Sequence, residues 1–461
     1  MNVETDTPSS RREGGRQRLR WFAAAMGLKA LTAVTDIVPP RYRFGHWTRL
    51  MDLLSFGEQL PVLEFREMQN TGPASASASA VSTSHPRRVT CMVLAGGLDS
   101  GGIEAVVGSL ARGLPAHGID VEVVGTSGGR IEKMLLEAGV AVSIMPSSHV
   151  ADHLEHRQPD VIQLHRIDPS LLRALDAWAP RVVPVFHAME SYLTRAVWVE
   201  LASLLARTGA RISVSSSVRE YFEHRAGADS WVVENGVVPV PSCVMAKDEA
   251  RTLVGQALGV RLDAGDVIVA GLQRFSDQKN PAGLVDAFLR AAEQDVRLRL
   301  IIAGGVNSWL ELRRADVVRR RHKLGHRVHF LGDSDPSVLM SSADIFALDS
   351  FSEGGPIAAL DALNHGLPIV ISEVGFAREL VAGCSNGAIL VPRANRDFSQ
   401  RAMAQQRRRS HQSNREAFAS ALLGIAREPF DGQRTQLPPD FVEAAMVGRH
   451  ARILRDVAQS C

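Results

Sequence analysis

From residue 89 onward, short runs of apolar and often β-branched residues recur, each closed by glycine or polar residues. VTCMVLA (89–95), VEVVG (121–125), DVIQL (160–164), RVVPVF (181–186) and RISVS (211–215) form one set. After a polar stretch near 241–262 the pattern restarts. DVIVAGL (266–272), LRLIIAG (298–304), RVHFLG (327–332), ADIFAL (343–348), LPIVIS (367–372) and AILV (388–391) form the second set. Segments with helical periodicity, such as 103–114 and 170–178, separate the runs. Strands that are apolar on both faces and alternate with helices belong to parallel sheets covered on both sides. The pattern therefore predicts an α/β protein of two successive doubly wound, Rossmann-like units.

The remaining segments read differently. Residues 1–70 form a basic extension, with nine Lys and Arg between 11 and 49 against Glu13 and Asp36. The stretch 16–34 favours helix without gathering one clean apolar face. A helix on an anionic membrane surface, reached through residues 1–60, and a helix packed on the main body both fit it. The apolar run 21–38 is too short for a membrane span and is broken by Lys29 and Asp36. TGPASASASAVSTSHPRR (71–88) is a Ser/Ala/Pro linker without core-forming residues. The expected domains are then 89–245, 246–435 and a closing helix at 436–461 that packs back on the first unit. The tract 393–416, with Arg407-Arg408-Arg409, reads as a polar loop or exposed helix.

Composition narrows the class. An apolar share of 45% over 461 residues excludes wholesale disorder. A formal charge of +2 argues against a nucleic-acid partner, which selects a strong basic excess. Only five of the 52 basic residues are lysine (29, 133, 247, 279 and 323), so a motif lysine says more than a motif arginine. Cys91, Cys243, Cys384 and Cys461 lie far apart without zinc spacing. They predict reduced thiols, no metal site and a cytoplasmic chain, to which the basic extension adds the expectation of peripheral contact at the inner membrane face.

Three constellations at strand ends can carry chemistry. The first is Ala95-Gly96-Gly97-Leu98-Asp99-Ser100-Gly101-Gly102-Ile103-Glu104, where glycine lets the backbone approach a ligand and the following helix offers free N–H groups. A tight strand-to-helix turn explains it equally. The second is Arg274-Phe275-Ser276-Asp277-Gln278-Lys279-Asn280-Pro281, whose arginine fork and lysine point charge can converge on one pyrophosphate. The third runs from Ser350 to Pro368. Glu353 precedes the Gly354-Gly355 amides, Pro356 opens a helix, Asp361 lies inside it and Gly366 stops it. Glu353 there suits sugar hydroxyls or a helix cap. Asp333-Ser334-Asp335 reads as a loop with a helix cap. Arg313-Arg314 and Arg319-Arg320-Arg321 read as a solvated basic face, with contact to anionic lipid as the alternative.

In order and spacing, these motifs resemble the retaining GT-B glycosyltransferases of family 4, also called glycosyl transferases group 1. The likeness runs through R-x4-KN, L-x-I-x-G-G, V-x-FLG, ADIF-x-L-x-S, EG-x-P, G-x-PIV and Glu379-Leu380-Val381. It reaches the first unit through Gly101-Gly102-x-Glu104, Pro159-Asp160-Val161-Ile162, His165, His187, Val214-Ser215 and Asn235-Gly236-Val237, covering about residues 89–392. The resemblance implies two Rossmann-like domains facing a central cleft and a metal-independent retaining hexosyl transfer without a cofactor. The donor would be a nucleotide sugar, UDP favoured over GDP, and the acceptor a glycan, a lipid-linked or a small molecule. It implies that Arg274 and Lys279 grip the departing diphosphate, that Glu353 and His187 contact the donor sugar, and that Asp361 contacts the ribose. Gly97 and Gly102 would border the phosphates and acceptor, beside the Gly354, Gly355 and Pro356 cradle. The chain departs from the family at Asp361, where the paired-acid motif carries a glutamate. A nucleotide-sugar epimerase of the same architecture and a non-catalytic carbohydrate-binding relative are the alternatives.

Overall fold

The computed structural model describes residues 23, 26–34, 36, 59–65, 88–99, 101–239, 245–427 and 436–460. Residues 71–87 of the expected linker, most of the basic extension, Ser100, Cys243 and Cys461 lie outside them. The chain divides into two compact units. One comprises 65–239, 354–360 and 438–461; the other comprises 240–353 and 361–437 with described residues of 1–64. The change of unit thus falls at 239/240 rather than 245/246, and the described parts of the extension group with the second unit.

The first unit is a seven-stranded parallel sheet in the order β3-β2-β1-β4-β5-β6-β7. Its strands are β1 (Val89–Leu94), β2 (Ile119–Gly125), β3 (Ala141–Ile144), β4 (Val161–Leu164), β5 (Val182–Phe186), β6 (Ile212–Ser213) and β7 (Trp231–Val232). Between them run α1 (Gly102–Gly113), α2 (Arg130–Glu137), α3 (Val150–Arg157), α4 (Pro169–Ala174), α5 (Arg195–Leu205) and α6 (Ser216–Ala226). The central strands β4 and β5 are buried at every position, as their continuous apolar sequences require.

The second unit begins with α7 (Lys247–Leu258) and holds six parallel strands in the order β10-β9-β8-β11-β12-β13. These are β8 (Val267–Leu272), β9 (Leu298–Ala303), β10 (Val328–Leu331), β11 (Ile345–Leu348), β12 (Ile369–Ser372) and β13 (Ala388–Val391). Its other helices are α8 (Pro281–Ala292), α9 (Trp309–Arg321), α10 (Pro336–Ser342), the end of α11 (Ile357–Asn364, whose residues 357–360 group with the first unit), α12 (Ala377–Gly383), α13 (Gln400–Arg407) and α14 (Arg415–Arg427). Its core joins Val269, Leu300 and Val370 of the sheet to Phe288 of α8 and Phe418 and Leu422 of α14. All six strands sit where the apolar runs place them. The last helix, α15 (Glu443–Ser460), packs on α1, β1 and β4 of the first unit.

Both sheets reverse their winding once, at β1/β4 and at β8/β11. Loops leaving the carboxyl ends of the strands diverge there and leave a crevice for a ligand. The three constellations of the sequence follow β1, β8 and β11.

Two readings are corrected. The tract 393–416 is neither loop nor exposed helix throughout: α13 buries Met403, Ala404 and Arg407. Arg407 donates to Asp36 at 2.7 Å and to Glu311, while Arg314 pairs with Glu311 at 2.6 Å. Arg319 and Arg320 pair with Asp316 at 2.5 and 2.7 Å, so Arg314 and Arg319 are drawn into ion pairs on α9 while Arg320 and Arg321 stay exposed, and the solvated basic face shrinks to the end of the helix. The reason is a set of buried acids, Asp36, Glu311 and Asp316, that only paired cations make tolerable. Asp335 caps α10, its carboxylate accepting from the Ser337 amide at 2.8 Å.

Candidate functional site

In the second unit the site grows from the ends of β8 and β11. Pro281 is pre-set for the first turn of α8, and Asn280 precedes it in the left-handed region at φ 48°. That turn brings Lys279 back toward the end of β11. Its Nζ donates to Glu353 Oε1 at 2.5 Å, and Ser350 Oγ donates to the same oxygen at 2.8 Å. Both partners are largely buried, with side-chain exposures of 19% and 10%. The lysine is thus no solvated surface cation, and Glu353 spends one oxygen on it rather than acting only as a cap. Arg274 stands exposed in the same loop. Gly304, at φ 153°, lets the loop after β9 lie against this loop, since a Cβ there would overlap the Gln273 carbonyl.

Asp361 lies in α11, five positions after Pro356, and burial pushes its carboxyl up to about 7. Gly366 ends that helix region at φ 76°. Two further groups escape a reading of the sequence. Gln273, next to Arg274, is buried, and neither polar atom of its amide has a partner among the described residues. Such an orphan costs on the order of 1–3 kcal/mol unless a ligand or water supplies the bond. Asp349 at the end of β11 is buried, accepting from Asn280 at 3.0 Å and Asn414 at 2.8 Å, and burial pushes it up to about 7. It ties the lysine-bearing turn to β11 and α14.

In the first unit, Gly97 bridges to Ser127 beyond β2, and Gly101 at φ 151° leads into α1. Gly102 lies close to Ile357: a Cβ there would stand 3.3 Å from its methyl group. Gly354 meets the backbone after β5, where a Cβ would overlap the His187 carbonyl oxygen. That approach demands glycine and places the Gly354-Gly355-Pro356 segment against His187 within this unit. His187 is buried and pairs through Nε2 with His165 Nδ1 at 2.8 Å. Glu190, three residues on, holds φ 47°, a strained value for glutamate, and burial pushes its carboxyl up to about 7. No sequence signal marks it, because glutamate has no preference for that backbone region.

A loop that presents a paired lysine, an arginine, free helix N–H groups and a carboxylate can bind a diphosphate and the sugar attached to it. The comparisons agree with that chemistry. The family described as "Glycosyl transferases group 1" matches residues 260–417, and "Glycosyltransferase Family 4" matches residues 100–239. A Vi polysaccharide biosynthesis protein of Salmonella typhi is 28% identical over 162 residues, 34% of this chain and 27% of that protein. A D-inositol 3-phosphate glycosyltransferase of Mycolicibacterium smegmatis is 31% identical over 150 residues, 32% of each chain. The chain thus spans roughly a third of the length of these curated relatives. Among solved structures, Anabaena HepE in complex with UDP and glucose is 20% identical, with a TM-score of 0.58 over 80% of this chain and 100% of its own. WaaG, a glycosyltransferase involved in lipopolysaccharide biosynthesis, is 17% identical, with a TM-score of 0.53 over 79% of this chain and 99% of its own. These likenesses concern the fold. The two family matches, one in each unit and in family order, together with the shared architecture place the chain among the GT-B glycosyltransferases of the group 1, family 4-like kind.

Proposed function

We propose that this protein transfers a hexosyl group from a nucleotide sugar to an acceptor hydroxyl with retention of configuration. The observation that carries the reading is the Lys279–Glu353 pair at the ends of β8 and β11, with Arg274 in the same loop. As the glycosidic bond breaks, the departing diphosphate gains negative charge. Lys279, held by Glu353 before the charge develops, and Arg274 are the groups that stabilise it, without need of a metal. Glu353 holds the ammonium in place and turns its second oxygen to the donor sugar. Asp361 of α11 takes the ribose hydroxyls. Gly97, Gly102, Gly354, Gly355 and Pro356 let backbone amides approach the phosphates, and His187 contacts the sugar. Gln273 supplies a buried amide to the same ligand.

A UDP-sugar is favoured over a GDP-sugar as donor, a preference supported by the UDP and UDP-glucose complexes of HepE. The acceptor is a glycan, a lipid-linked or a small molecule. The basic residues of 1–60 bring the enzyme to the anionic inner face of the membrane as a peripheral protein. No described helix is long and apolar enough to cross a membrane.

The test is a thermal-shift and turnover screen of the full chain against UDP, GDP and their sugars, beside Glu353→Ala. Ligand binding raises the apparent stability by mass action. The reading requires at least one nucleotide sugar to bind and be turned over, with turnover lost in the variant. Failure of the whole panel, or equal turnover by Glu353→Ala, overturns it. Co-sedimentation with phosphatidylglycerol vesicles, compared with Arg16, Arg18 and Arg20 all changed to Glu, tests the membrane contact. Equal partitioning rejects it.

A further inference from the structure

Four buried polar side chains of the first unit form one continuous chain of hydrogen bonds that ends on His187. Gln163 projects from β4, His165 follows that strand, His187 follows β5, and His450 comes from α15. Their exposures are 0%, 4%, 8% and 1%. Gln163 Nε2 lies 2.8 Å from His450 Nδ1, Gln163 Oε1 lies 3.0 Å from His165 Nε2, and His165 Nδ1 lies 2.8 Å from His187 Nε2. The helix that carries His450 is 287 residues away from Gln163 in sequence.

Each link dictates the next, because a neutral imidazole has one N–H and one lone pair and a carboxamide has a donating and an accepting end. Burial keeps the three rings neutral: it pushes His187 down to about 4, His450 down to about 3, and His165 well below the usual histidine range. With His450 Nδ1 accepting from Gln163 Nε2, the amide oxygen faces His165 and accepts its Nε2–H. His165 Nδ1 is then bare and accepts the Nε2–H of His187. What remains at the end is His187 Nδ1, a lone pair with no partner among the described residues. If His450 instead carried its hydrogen on Nδ1, the amide would turn over and every link would reverse, leaving His187 Nδ1 as an N–H donor.

We propose that His450 is a positioning residue that sets the hydrogen-bonding polarity of His187, so that His187 Nδ1 is an acceptor for a hydroxyl of the donor sugar. The ligand in this statement rests on the glycosyl-transfer reading; the tautomer does not. An acceptor at this point selects a sugar that offers a hydroxyl there and repels one that offers a carboxylate. The C-terminal helix thereby contributes to specificity without touching the ligand.

The deciding comparison is His450→Asn against His450→Phe in the full chain. The asparagine oxygen can take the place of the Nδ1 lone pair, whereas phenylalanine keeps the volume and accepts nothing. Imidazole 15N resonances of His187, assigned by their loss in His187→Gln, report which ring nitrogen carries the hydrogen. The proposal expects hydrogen on Nε2 alone in the wild type and in His450→Asn, and a mixture of tautomers in His450→Phe. With a nucleotide-sugar donor, His450→Phe should raise the donor KM about fivefold and leave kcat within about twofold, the scale of one net hydrogen bond. His450→Asn should restore the wild-type KM. Gln163→Leu cuts the chain one link later and should give the same mixture, which keeps the test open if His450→Phe does not fold. Hydrogen on Nδ1 in the wild type, or an unchanged His187 tautomer in the folded variants, overturns the proposal. If no nucleotide sugar is turned over at all, the 15N arm still decides the tautomer while the functional reading falls on its own screen.

Discussion

Lys279 is a partly buried cation whose only described acid partner is Glu353. An ammonium held this way needs no reorganisation when a diphosphate begins to leave, which is the condition for strong electrostatic catalysis. Lys279→Ala should therefore lower kcat/KM by about 10²- to 10³-fold, the scale of one lost preorganised donor. Steady-state rates with a UDP-sugar check this, and a loss under threefold would move the lysine to a structural role. Asp361 adds a pH signature. Burial lifts its carboxyl to about 7, so the ionised form, the stronger acceptor for ribose hydroxyls, predominates only above that value. Affinity for a UDP-sugar, whose diphosphate does not titrate in this range, should tighten as pH rises through about 7. Asp361→Asn should remove that step. Calorimetric titration between pH 6 and 8.5 reads it, and a flat wild-type profile would separate Asp361 from the ligand.

At the scale of elements, Asp349 holds the loop after β8 to the start of α14, and Arg407 ties α13 to Glu311 of α9 and to Asp36. Asp349 carries a raised pKa of about 7 in the folded state. Unfolded, it titrates near the ordinary carboxyl value. Between about pH 4 and 7 the folded chain keeps a proton that the unfolded chain has lost. This group's contribution therefore falls as pH rises through that window and levels off above it. Relative to Asp349→Asn, the wild type should lose up to roughly 4 kcal/mol between pH 4.5 and 7.5 in denaturant unfolding. A difference that grows in the other direction contradicts the burial of that acid. Arg407→Ala leaves Glu311 and Asp36 buried without their shared cation and should cost about 3–5 kcal/mol. A loss near zero in the same assay would mean that water replaces it. How these elements could be seen beforehand differs from one to another. The strands of the second unit declare themselves because they are apolar on both faces. β3 and β7 stay hidden: both are short edge strands, and Trp231 of β7 is 65% exposed, so neither shows a buried run. Lys279 and Glu353 are visible as scarce or charged residues at strand ends. Arg407 is indistinguishable among the other arginines, and the Gln163–His450 link joins residues that no local pattern relates.

The whole molecule is two units, each completed by a distant piece of chain. Residues 59–64 add backbone to the second unit: Gly332 N–H donates to the Pro61 carbonyl at 2.8 Å and Asp335 N–H to the Leu63 carbonyl at 3.1 Å. Asp36 adds its carboxylate to Arg407 of α13. The first unit is closed instead by α15, which buries Met446, Val447, Ala451, Leu454 and Val457, and by Val442 just before it, which pairs beside Val237. Cooperative units defined by such packing melt as units. Calorimetry of the full chain should resolve two transitions. Deleting residues 1–64 should lower one of them, and deleting 438–461 should lower the other. A nucleoside diphosphate should raise the transition that the N-terminal deletion lowers, because Arg274, Lys279 and Asp361 all belong to that unit. The assignment gains an internal control from His450: His450→Phe should move only the transition that the C-terminal deletion moves. A single transition shifted equally by both deletions would show that the chain unfolds as one cooperative body. In that case each terminal segment would act on the donor loop through global stability rather than through the unit it completes.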